Sequence, residues 1–139
     1  MSELKKLNEG AKFSHGTVGD LGEFAGKGFV KDVLGETSCE ISFGTLAPGE
    51  AVPFFHFHSH KENEENYIVL SGKGMFQVND DVFAVGEGSV VRVATGCDRN
   101  IKNTAESGNL TYICIQAREG SLGGYTMTDA VVTERKSLL

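Results

Sequence analysis

The segment His56-Phe57-His58-Ser59-His60-Lys61-Glu62-Asn63-Glu64-Glu65-Asn66-Tyr67-Ile68-Val69-Leu70-Ser71-Gly72 decides how this chain is read. It holds three of the four histidines, then three glutamates, then a β-branched and aromatic run that ends in glycine. A strand turns successive side chains to opposite faces, so His56, His58 and His60 share one face while Phe55, Phe57 and Ser59 take the other. Neighbours in that row are roughly 6.6 Å apart at Cα and the outer two roughly 13 Å. With Zn–N bonds of about 2.0–2.1 Å, a neighbouring pair makes an easy two-ligand site and the straight triple a strained one. His58 belongs to either pair. A carboxylate from Glu62, Glu64 or Glu65 completes a set that Zn, Ni, Fe, Mn or Co accepts, with positions left for substrate or water.

Outward from this segment, runs rich in β-branched and aromatic residues recur between Gly, Asn and Asp punctuation. They are Cys39 to Leu46, Phe54 to His60, Asn66 to Leu70, Gly74 to Val78, Val82 to Val85, Ser89 to Ala94 and Leu110 to Gln116. Short strands separated by turns predict an all-β, antiparallel sandwich or barrel. In the first run Cys39, Ile41 and Phe43 share one parity and Glu40 and Ser42 the other, which predicts one buried, apolar face. Asn79-Asp80-Asp81 reads as a hairpin turn, since Asn and Asp tolerate the left-handed conformation. At the start, Leu4, Leu7 and Ala11 at helical spacing after a Ser2 cap predict a short N-terminal helix. The segment Phe13 to Lys31 reads as a loop with short strands. Gly120 to Gly124 reads as a linker into a tail whose Met127 to Glu134 stretch predicts a strand, added to this sheet or to a partner's.

The length of 139 residues suits one domain, and 40% hydrophobic with 23% charged residues suits a folded one. The reading is a single domain, 1–139, with a core of about 36–118, an N-terminal extension 1–35 and a tail 119–139. A net charge of −6 disfavours nucleic acid and anionic membrane as partners and leaves a small molecule. Three cysteines without a C-x-x-C pair argue against a disulfide framework or a zinc ribbon and point to a reducing, cytoplasmic setting. No apolar leader is visible at the start.

Two stretches resemble the motifs of the cupins, small antiparallel β-barrels of the jelly-roll or double-stranded β-helix kind. The first motif runs Gly, five residues, His-x-His, three or four residues, Glu, six residues, Gly. Here His58-Ser59-His60, four residues, Glu65, six residues and Gly72 fit its tail, while Gly49 stands eight residues before His58. A second register, His56 with His58, would lengthen the loop to Glu65, so the pair His58 and His60 is preferred and His56 is the spare. The second motif runs Gly, five residues, Pro-x-Gly, two residues, His, three residues, Asn. Here Gly88, Gly96 and Asn103 match, Ala94 replaces the Pro, and Arg99 replaces the His that is usually the fourth metal ligand.

The resemblance implies a divalent-metal site of His58, His60 and Glu65, with His56 or water filling a vacancy, that binds or transforms a small, anionic molecule. Arg99 is then the expected clamp for the anion, and Tyr67 and Gln77 are the expected polar groups of the pocket by parity. If the chain is an enzyme, a mononuclear oxygenase, isomerase or decarboxylase is implied. The competing reading is a metal-independent binding, sensing or epimerase-like cupin in which Arg99 takes the place of the ion. Exposed sheet edges in small barrels of this kind predict a homodimer.

Overall fold

The computed structural model describes residues 3–52, 58–124 and 126–139. His56, most of the Phe54 to His60 run, the Ser2 cap and Tyr125 at the start of the tail lie outside the described residues. The elements in chain order are β1 Lys5–Glu9, β2 Ser14–Thr17, β3 Gly26–Phe29, α1 Lys31–Leu34, β4 Glu40–Leu46, β5 Asn63–Ser71, β6 Lys73–Val78, β7 Asp81–Gly86, β8 Val90–Val93, β9 Arg99–Lys102, β10 Leu110–Arg118 and α2 Thr126–Asp129. Among the described residues no helix is long and apolar enough to cross a membrane.

Two antiparallel sheets enclose the core. One has the order β3-β4-β10-β5-β8 and the other β7-β6-β9. Their inner faces contribute Leu46, Tyr67, Val69, Phe76, Val85, Val93, Ile101, Leu110, Tyr112 and Cys114, all buried in one cluster. On β5 the alternation is strict, with Glu65, Tyr67 and Val69 inward. The β6–β7 hairpin turns at Asn79, whose φ of 49° is the left-handed conformation expected of it. At Gly72 φ is 86°, and a Cβ there would strike the backbone of Asn109 and Leu110, so this turn requires glycine.

Four sequence expectations are corrected. The N-terminal segment is no helix: Lys5–Glu9 pairs antiparallel with Ser14–Thr17. A single helix this short is marginal in water, and the hairpin satisfies the same backbone groups by pairing. On β4 the buried parity is Ser42, Gly44 and Leu46, because that face lines the barrel interior. The Ile41 and Phe43 face is only half-buried, and Phe24 from the N-terminal extension packs on Phe43 with ring centroids 6.2 Å apart. His58 to His60 is no continuous strand: His58 makes one bridge, to Arg99. In the tail, Thr126–Asp129 is a single helical turn and residues 130–139 have no regular structure, leaving Val131 and Val132 84% and 99% exposed.

Candidate metal centre

Backbone pairing brings the site together from three parts of the chain. The Arg99 amide donates to the His58 carbonyl at 3.0 Å and the Gly96 amide to the His60 carbonyl at 2.8 Å, which stitches the histidine segment to the start of β9. Glu65 sits on β5 opposite Gln116 of β10 and Val93 of β8, so its side chain enters the barrel between two covered strands. The outcome is a compact group. His60 Nε2 lies 3.3 Å from Glu65 Oε2, and His58 Nε2 lies 3.6 Å from Glu65 Oε1. The imidazole rings stand edge to face with centroids 5.3 Å apart.

These three side chains offer ligand atoms that all lie within 4.8 Å of one another. Atoms each about 2.1 Å from one ion sit roughly 3.0–3.4 Å apart in octahedral and tetrahedral arrangements, so the donors fit a divalent transition metal with small adjustments. The chemistry of the set, two imidazoles and a carboxylate, fits as well. His58 Nδ1 is buried without a hydrogen-bond partner among the described residues.

Glu65 is 4% exposed and surrounded by donors. Arg99 Nη1 donates to its Oε1 at 2.5 Å and the Tyr67 hydroxyl donates to the same oxygen at 3.0 Å. The Cys114 thiol donates to Oε2 at 3.2 Å. Burial by itself would push the Glu65 carboxyl up, but His58, Cys114, His60 and Tyr67 outweigh it and hold the group well below the usual carboxylate range. Burial and the Glu65 charge push the Cys114 thiol and the Tyr67 and Tyr112 hydroxyls up, so all three stay protonated and able to donate. Oε1, with two strong donors, is the occupied oxygen. Oε2 keeps the capacity for a metal.

His58, His60 and Glu65 are on the wall of a cavity of about 700 Å³, lined also by Ser42, Thr45, Leu46, Val52 and Tyr112. The other expected binding residues are elsewhere. Arg99 is 0% exposed, behind Glu65, with Nε on the Cys97 carbonyl at 3.0 Å and Nη2 on the Ala94 carbonyl at 3.2 Å. It therefore has no surface with which to clamp a ligand, and its role is to hold the carboxylate. Tyr67, 4% exposed, likewise serves Glu65. Gln77 donates to the Asn79 carbonyl at 2.7 Å and borders a separate depression of about 230 Å³ beside Met75 and Lys102. Asn103, the last residue of the second motif, is a structural staple: its amide donates to the Leu46 and Gly108 carbonyls at 2.9 Å and its oxygen accepts from the Ala105 amide at 3.0 Å. Sequence reading missed Lys27, which enters the same cavity from β3. Nothing local marks a lysine between two glycines as inward-facing; only the register of β3 on β4 does.

A family model described as "Cupin domain" matches residues 42–116. Among solved structures, a cupin protein from Bacteroides fragilis is 38% identical, with 78% of this chain and 90% of that one covered at a TM-score of 0.73. An uncharacterised conserved protein with a double-stranded β-helix domain from Klebsiella pneumoniae is 14% identical over 61% of this chain and 71% of its own, at a TM-score of 0.54. A Cupin 2 conserved barrel domain protein from Salinispora arenicola is 19% identical over 60% and 66%, at 0.52. No curated protein matches the sequence significantly.

Proposed function

The chain belongs to the cupin superfamily, and on that premise we propose that it binds a small molecule inside the barrel at a divalent metal held by His58, His60 and Glu65. The observation that carries this reading is the convergence of the three donor groups within 4.8 Å on the wall of the cavity. A bound ion would supply a Lewis acid with coordination positions open to water or to a ligand oxygen. The chain's own residues do the rest. Arg99 and Tyr67 fix the orientation of Glu65 through Oε1, and Cys114 steadies Oε2. Ser42 offers a hydroxyl to a ligand, while Leu46 and Val52 supply apolar wall.

A second reading has its own support. The 2.5 Å contact of Arg99 with Glu65 already gives the carboxylate a cation at the position where the motif usually has its fourth histidine. In that reading the protein is a metal-independent binder whose histidines make hydrogen bonds to the ligand. One experiment separates the two. Protein reconstituted with Zn, Ni, Fe, Mn or Co and then desalted is subjected to elemental analysis, wild type beside His58→Ala and His60→Ala. The metal reading expects about one ion per wild-type chain and loss of it in both variants. A wild type that retains none of these metals sinks that reading and leaves the second.

A further inference from the structure

We propose that Lys27 is the anion anchor of the cavity, and that the ligand is a carboxylate on an apolar body, seated with its carboxylate on the Lys27 ammonium. This rests on the reading of the cavity as a small-molecule site and names the ligand class. The observation behind it is a row across three strands: Lys27 on β3 pairs with Gly44 on β4, which pairs with Tyr112 on β10. At Gly44 a Cβ would come within 2.5 Å of the Tyr112 ring, so the glycine is what lets the Tyr112 ring fold across the sheet toward Lys27. The Lys27 Nζ then lies 3.4 Å from the Tyr112 hydroxyl and 5.2 Å from the centre of its ring. Lys27 also lies 5.8 Å from the ring centre of Phe29, which shares the lining.

The cation is thus cradled by aromatic faces and a hydroxyl, with no carboxylate in ion-pair distance among the described residues. Aromatic faces offset only part of what a cation loses on leaving water. Burial pushes its amine down, against the opposing pull of Cys114 and Glu65. An anion arriving in the cavity removes that deficit, and with Lys27 the one lysine or arginine among the described lining residues, a monoanion suits it better than a multiply charged phosphate. Arg99, the basic group the motif pointed to, is spent on Glu65 behind the wall, so Lys27 takes the role of counter-charge to the ligand.

The test compares 2-naphthoate with its neutral isostere 2-naphthamide by calorimetric titration of wild type, Lys27→Met and Lys27→Arg, each with and without reconstituted metal. Wild type should bind the carboxylate at least about tenfold more tightly than the amide, the factor a hydrogen bond to a charged group commands. Lys27→Met should erase that preference while leaving metal content unchanged, and Lys27→Arg should keep it. Equal affinity of wild type for the two probes, binding of neither, or a preference that survives in Lys27→Met overturns the proposal. A protein that retains no metal yet discriminates through Lys27 fails only the metal reading; one that retains metal and does not discriminate fails only this one.

Discussion

Removing either partner of the Arg99–Glu65 pair should cost much more than removing both would suggest. Glu65→Gln keeps shape but leaves a guanidinium with 0% exposure facing a neutral amide. Breaking a buried pair from one side costs about 3–5 kcal/mol, because the remaining charge has no partner. Arg99→Met leaves Glu65 with the Tyr67 and Cys114 donors but orphans the Ala94 and Cys97 carbonyls, and the expected cost is of the same order, about 3–5 kcal/mol. In the double variant no buried charge is left unpaired, so its cost should fall short of the sum of the singles by about 2–3 kcal/mol. Urea denaturation followed by circular dichroism, in chelator so that metal plays no part, gives all four corners of the cycle. For a chain of this size each single substitution should lower Tm by about 10–20 °C. Costs that add to within about 0.5 kcal/mol would refute the claim that the two side chains act as a unit.

Arg99→His should convert the site toward four protein ligands, since position 99 bridges His58 and its side chain points to Glu65. Competition with a chelator should then show metal held at least about tenfold more tightly than in wild type, and equal or weaker binding by a folded variant counts against the site geometry. Asn103→Ala should destabilise by about 2–4 kcal/mol, because three hydrogen bonds of a fully buried amide are lost together. Its metal content should equal that of wild type, as the residue only ties the loop after β9 to the end of β4; this is checked by pairing denaturation with elemental analysis.

What the sequence made legible was whatever depended on local spacing. His58, His60 and Glu65 stood out because a motif fixes the distance between them along the chain, and the β5, β6 and β7 strands because their alternation is interrupted only by turn residues. The rest depended on pairing between distant strands. Arg99-Asn100-Ile101-Lys102 has one apolar residue, yet Arg99 and Ile101 are both buried, since Glu65 neutralises the first. Lys27 is inward only because β3 runs in register with β4. The first run was assigned the wrong face for a related reason: apolar residues usually mark the core, but here the interior face of β4 borders a cavity and carries Ser42 and Gly44.

The single exchange at position 99 reorganises the chemistry around Glu65 more than a lost ligand would. An imidazole there would point a neutral donor atom at an exchangeable ion, whereas a guanidinium brings a permanent charge on a longer arm that reaches the carboxylate itself. Glu65 thereby has protein partners on both oxygens that hold the carboxylate ionised and oriented independently of any ion. The same charge is fully buried and does not line the cavity, so it would weaken a bound cation without reaching a ligand. An anion entering the barrel would therefore find its counter-charge on the cavity side, at Lys27 or at an ion if His58, His60 and Glu65 hold one. On that division Arg99 holds Glu65 in place, and Lys27 is the cation on the cavity side.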